Sequence, residues 1–146
     1  MKQVPDLSVT AQPIDVGLGV IRRSDAGHPD RVLVTLRRCD TVLPGLWEIP
    51  GGKREGDESI EACVARELYE EVGLKVAVGQ GLGVWEHHYP HAHVRLQAFW
   101  CSIIEGQARP IAVEQVAWVD AEQLLERDYP EASLALIQRI AEALRI

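Results

Sequence analysis

Gly52-Lys53-Arg54-Glu55-Gly56-Asp57-Glu58-Ser59-Ile60-Glu61-Ala62-Cys63-Val64-Ala65-Arg66-Glu67-Leu68-Tyr69-Glu70-Glu71-Val72-Gly73-Leu74 is the stretch that decides the fold of this chain. It predicts a helix over about Ser59–Val72, stopped by Gly73 just past its last turn. With Arg66 set to zero and about 100° per residue, Glu70 falls near 40°, Glu67 near 100° and Glu71 near 140°. Val64, Leu68 and Val72 follow near about 160°, 200° and 240°. One face therefore packs on a sheet, and the adjacent face gathers three carboxylates within two turns. Seven acids lie between residues 55 and 71 against the single base Arg66, which accounts for nearly all of the net charge of −7. Glu67 and Glu71 sit one turn apart and repel by about 0.2–0.5 kcal/mol. Nothing local offsets that cost, whereas a bound divalent cation would. An oxygen-only donor set suits a hard ion such as Mg²⁺, which prefers carboxylates together with substrate phosphates. Gly51 and Gly52 leave room for the backbone to come close to such an ion.

Outward from this stretch, Ile14, Val16, Leu18 and Val20 alternate with small or polar residues over Ile14–Ile21, a strand pattern. Gly17 and Gly19 occupy the other face of that strand and allow close approach of another element. The Ser24–Asp30 turn cluster leads into a second strand over Arg31–Arg37, so the pair reads as a hairpin. Leu46–Ile49 is a short strand ended by Pro50-Gly51-Gly52. After the helix, Val76–Val78 and Leu82–Tyr89 are strands broken by Gly79 and Gly81. Val94–Ile104 is the longest strand, with Val94, Leu96, Ala98 and Trp100 on one face. Val116–Val119 is a short strand, Ala121–Arg127 a helical turn or two, and Ser133–Arg145 an amphipathic helix. This order predicts an α/β (α+β) fold with helices on both faces of a mixed sheet.

The 146 residues, without repeats or a dividing linker, are expected to form one domain over 1–146. At 47% hydrophobic and 25% charged the composition is that of an ordinary globular protein. The acidic balance, with no basic stripe, argues against nucleic-acid or anionic-membrane binding but not against a nucleotide bridged by metal. Cys39, Cys63 and Cys101 share no metal-type spacing and read as reduced, mostly buried thiols of a cytoplasmic protein. Met1–Thr10 has no apolar run of the kind a signal peptide carries, and no segment reaches membrane-helix length.

Residues 52–74 resemble the signature of the Nudix hydrolases at each of its nine fixed positions, namely Gly52, Glu58, Arg66, Glu67, Leu68, Glu70, Glu71, Gly73 and Leu74. Pro50-Gly51 match the usual lead-in. The resemblance extends more weakly to Arg37-Arg38, Trp118-Val119 and the Pro130–Ile137 helix start, which are similar to the MutT-type nucleoside triphosphate pyrophosphohydrolases. It implies an α/β/α sandwich and a Mg²⁺-dependent cleavage of a phosphoanhydride, with Mn²⁺ able to substitute. By position, Glu67, Glu70 and Glu71 would ligate the metal together with the Gly51 carbonyl, and Arg66 would orient them. Glu58 would act behind the ligands or support the loop, and Arg38 would contact phosphate through its forked guanidinium. The general base falls first to Glu67 and second to Glu114.

The chain departs from that pattern twice. MutT-like enzymes carry a metal-binding glutamate six residues before the Trp of the Trp-Val strand; Ala112 stands there, and Glu114 is the nearest acid. They also read oxidised guanine through an asparagine near the start of the last helix, where this chain has Ser133 with a single hydroxyl. The cluster of His87, His88, His91 and His93 admits three readings: a soft-metal site, an exposed strand–loop junction, or part of the nucleotide pocket with His88 against the substrate. The four tryptophans read as core or pocket wall. The expected reaction is (d)NTP to monophosphate and pyrophosphate, with pool sanitation the favoured role, and Ser133 leaves open whether the base is an oxidised, 8-oxo-dGTP-like one. Other nucleoside diphosphate derivatives, such as nucleotide sugars or dinucleoside polyphosphates, and a non-catalytic nucleotide sensor are the alternatives. The expected partner is a small nucleotide bound by a monomer or homodimer.

Overall fold

A computed structural model describes residues 12–40 and 45–146; the Met1–Thr10 reading lies outside them. The alternation in β1 (Ile14–Arg23) buries both of its faces against different partners. Leu18 and Val20 enter one core cluster with Val32 and Val34 of β2 (Arg31–Leu36) and Leu96 and Ala98 of β6 (Ala92–Glu105). Ile21, Leu33 and Cys101, one residue out of phase, enter a second cluster with Val64, Leu68 and Val72 of α1 (Ile60–Val72). The first cluster is closed by Leu136, Ile137 and Ile140 of α3 (Leu134–Leu144). Period-two strands between helices on either side make the sandwich that the sequence predicts.

β1 pairs parallel with β6 over Ile14–Ile21, while its other pairings are antiparallel, so the sheet is mixed. The hairpin of β1 and β2 pairs at Arg22↔Val32 and Arg23↔Arg31. β5 (Lys75–Tyr89) is one long strand against β6, because bulges at Val78–Gly83 absorb the glycines instead of ending it. β3 (Trp47–Glu48) and β7 (Gln115–Val119) flank β2, and α2 (Ala121–Leu125) follows β7. The Pro50-Gly51-Gly52 segment is more than a strand terminator: Gly51–Lys53 forms β4, paired to Val16–Leu18 of β1. Among the described residues no helix is long and apolar enough to cross a membrane.

Helix α1 starts at Ser59, whose hydroxyl accepts the Ala62 N–H, and ends at Gly73 with φ 74°. Its apolar stripe seats on the glycine face of β1. A Cβ at Gly17 would lie 2.9 Å from Val64 Cγ2, and one at Gly19 would lie 2.8 Å from Leu68 Cδ2. The two glycines therefore set how close the carboxylate-bearing helix comes to the sheet. Leu68 is fully buried in that seam. Leu68→Ala is expected to cost about 2–5 kcal/mol in urea denaturation; a loss below about 1 kcal/mol would mean the seam is not close-packed.

Candidate active site

The loop Arg54–Ser59 brings Glu58 back onto α1, where its carboxylate takes both arms of one guanidinium. Arg66 Nε donates to Glu58 Oε2 at 3.1 Å and Nη2 to Glu58 Oε1 at 2.7 Å. The same Arg66 donates through Nη1 to Glu67 Oε1 at 2.9 Å and Glu70 Oε2 at 3.2 Å, and through Nη2 to the Lys53 carbonyl at 3.1 Å. One cation thus arrays three carboxylates. Hydrogen bonding from Arg66, aided by the Glu55 N–H, holds the Glu58 carboxyl down to about 2.

Glu71 lies outside this network. Its Oε1 accepts the Gly51 N–H at 3.0 Å, and burial pushes its carboxyl up to about 8, only partly opposed by that bond. Glu67 rests on Gly52, where a Cβ would come within 2.3 Å of its Oε2. Burial raises Glu67 as well, with Arg66 pulling the other way. The repulsion expected between Glu67 and Glu71 is therefore relieved on one side only, since Arg66 reaches Glu67.

A polar cavity of about 430 Å³ opens beside these groups, walled by Glu67, Glu71, Gly51, Arg37, Arg38 and Lys53 among others. Arg38 also pairs with Asp40 at 3.2 Å. Next to it lies a more apolar cavity of about 290 Å³, walled by Ile14, Val94, Leu96, Tyr89, His91 and Ser133 among others. The two share Val16, Leu18, Arg37, Glu48, Ile49 and Lys53. Glu48 pairs with Arg37 at 2.7 Å, and burial raises its carboxyl.

The structure does not bring every sequence candidate to these walls. Glu67, Glu71, Gly51 and Arg38 border the polar cavity and Ser133 the apolar one, while Glu70 is exposed and turned to Arg66. His88 borders neither cavity; strand alternation points it outward, stacked on His93 at 4.0 Å, and places Tyr89 on the inner side. Glu114 is exposed beyond the cavity wall, and Ala112 and Val113 stand there instead. No tryptophan borders either cavity; Trp47, Trp85 and Trp100 pack on one core cluster and Trp118 on the other. The sequence reading missed Glu48 and Lys53 as wall residues, and it left Tyr89 and His91 unassigned within the histidine cluster.

The NUDIX domain model matches residues 18–139. The chain belongs to the NUDIX family. It is 34% identical over 114 residues to a Mycobacterium tuberculosis protein provisionally named 8-oxo-dGTP diphosphatase 2, covering 77% of this chain and 81% of that one. It is 26% identical over 125 residues to the CTP pyrophosphohydrolase of Escherichia coli, covering 86% and 89%. The solution structure of the E. coli ORF135 protein superposes with a TM-score of 0.76 at 26% identity, over 94% of each chain.

NUDIX hydrolases generally use divalent metal ions, and the donor set here fits one. Burial of the Glu71 carboxyl and the nearby Glu67 and Glu48 outweigh its one N–H donor and the Arg37 charge, so its anion is under-compensated and a cation would supply the rest. Among the described residues no three His, Cys, Asp or Glu side chains are already gathered as an ion cage, because Arg66 holds Glu67 and Glu70. This sets a pH dependence for the metal-free protein. A carboxyl raised on folding stabilises the fold below its ordinary 4.5, and that contribution is lost as pH rises through about 8. Glu71→Gln should therefore melt close to the wild type at pH 4.5 and be more stable at pH 8, by on the order of 2 kcal/mol. Equal differences at both pH values in thermal melts without metal would contradict the assignment.

Proposed function

We propose that this protein is a Mg²⁺-dependent nucleoside triphosphate pyrophosphohydrolase, one domain over residues 1–146, releasing a monophosphate and pyrophosphate. The observation that carries this reading is the pair of adjoining cavities: one carboxylate- and cation-lined, one apolar, with Arg37, Glu48 and Lys53 on their common wall. That layout matches a molecule with a polyphosphate at one end and a flat ring at the other. Relatives named for 8-oxo-dGTP and for CTP support a triphosphate as the shared substrate element. The net charge of −7 supports a small nucleotide rather than nucleic acid as the partner, and the three free cysteines support a cytoplasmic setting.

Glu67, Glu70 and Glu71 with the Gly51 carbonyl would hold the ion. A bound divalent cation neutralises phosphate charge and acidifies water. The chain's own groups do the rest. Arg66 fixes Glu67 and Glu70 against thermal wandering, and Glu58 with the Lys53 carbonyl fixes Arg66. Arg38 and Lys53 face the phosphates in the polar cavity. Glu67, whose carboxyl burial lifts above its ordinary range, takes the proton of the attacking water. Ser133 faces the base with one hydroxyl, so selectivity for an oxidised base falls to its neighbours in the pocket.

A substrate panel tests this reading. Ribo- and deoxyribonucleoside triphosphates should be turned over in Mg²⁺, and nucleotide sugars or dinucleoside polyphosphates far more slowly. Turnover of nucleotide sugars alone would sink it.

A further inference from the structure

Tyr89 closes β5, and its ring is held edge-on by His87 at 4.4 Å and stacked by His91 at 5.6 Å. Its hydroxyl oxygen accepts the Ala132 N–H at 3.0 Å, from the turn that carries Ser133 into the apolar cavity. A phenol has one proton to give, and an oxygen accepting from an amide must aim that proton elsewhere. Among the described residues no acceptor takes it, and the Tyr89 side chain borders the apolar cavity. Ile14, Val16 and Leu18 of β1 and Val94 and Leu96 of β6 supply the apolar wall, while Arg37, Glu48 and Lys53 lie on the wall shared with the polar cavity, so an oriented O–H beside the aliphatics can read a base. Ser133, next in the chain to Ala132, can donate or accept and so does not by itself choose.

We propose that Tyr89 determines base specificity by donating its hydroxyl proton to a carbonyl oxygen projecting from the nucleobase. Guanine, cytosine and uracil each present such an oxygen. Adenine does not; its acceptors are ring nitrogens set back within the ring outline. The pocket therefore selects against adenine nucleotides. This inference rests on the apolar cavity being the base pocket, as the proposed function has it.

The test is calorimetric titration of AMP, GMP, CMP and UMP into the full-length protein in Mg²⁺, with the wild type and Tyr89→Phe. For the wild type, AMP is expected to bind about tenfold more weakly than the other three, the size of one hydrogen bond in a closed pocket. Tyr89→Phe should bring GMP, CMP and UMP down toward AMP, so that the ratio falls close to one. AMP binding as tightly as the others, or no binding by any of the four, would overturn the proposal. So would a Tyr89→Phe variant that weakens all four equally, since Tyr89 would then only brace the Ala132 turn. If the variant fails to fold, AMP binding to the wild type as tightly as the other three still overturns the proposal. Because binding is read without turnover, a protein that hydrolyses no triphosphate yet discriminates against AMP would refute the proposed reaction and leave this inference standing.

Discussion

Glu67→Gln is expected to lower kcat by about 10²–10⁴-fold, the usual cost of removing a positioned acid–base group. The glutamine keeps the shape of the side chain and can still accept from Arg66 Nη1, which sits 2.9 Å from Oε1. It loses the charge that a cation needs and the basicity that a water proton needs. Stability should change little, because Arg66 keeps its bidentate grip on Glu58 and its bond to the Lys53 carbonyl. The apolar face of α1 is untouched. Steady-state kinetics in Mg²⁺ beside a thermal melt reads both quantities. A variant within about threefold of wild-type kcat would move the general base elsewhere, with Glu70 the next carboxylate on the same helix.

Gly52→Ala is expected to be nearly as damaging to turnover while leaving the protein folded. The added methyl would stand 2.3 Å from Glu67 Oε2 and 2.4 Å from its carboxyl carbon. Glu67 is the end of a flexible side chain, so it can swing away at small cost to the fold. It would then leave its bond to Arg66 and its place against Gly52. A drop of about 10²-fold in kcat, as for a catalytic group misplaced by about 1 Å, is the expected size. Gly51→Ala should fail differently. Its φ of 153° is strained for any side chain, and its Cβ would meet the Gly17 carbonyl oxygen at 2.0 Å. Backbone cannot step aside as a carboxylate can, so this variant should lose more than about 1 kcal/mol of stability. If Gly52→Ala lost stability and Gly51→Ala did not, the local geometry of β4 against β1 would be wrong.

The acid-rich helix was legible because three local signals agree there: the helical period of Val64, Leu68 and Val72, the Gly73 stop, and the two glycines on β1 that leave room for the packed face. Within the carboxylate network only Arg66–Glu70 has the one-turn helical spacing; Glu67 is the neighbour of Arg66 in the chain, and Glu58 reaches it through the loop before the helix. Where the reading missed, the deciding contact is between residues far apart in the chain. His88 and Tyr89 are adjacent in sequence, and alternation says only that they face opposite ways. Which of them faces inward depends on β5 pairing with β6 and on the Glu131–Ser133 turn crossing behind it. Glu48 reads as an ordinary strand residue until Arg37, eleven positions away, is found across from it. Ala112 and Glu114 are two residues apart, and only the path of the strand before Trp118 tells which one faces the cavity. The continuity of β5 through Gly79 and Gly81 was hidden for a related reason: bulges let a strand keep its partner where local propensity says it should break.

The most direct measurement is ³¹P NMR of a nucleoside triphosphate turned over by the wild-type protein in Mg²⁺. One pyrophosphate is expected for each nucleoside monophosphate, with no diphosphate intermediate and no orthophosphate. Orthophosphate appearing with a nucleoside diphosphate, or an unchanged triphosphate, would contradict it.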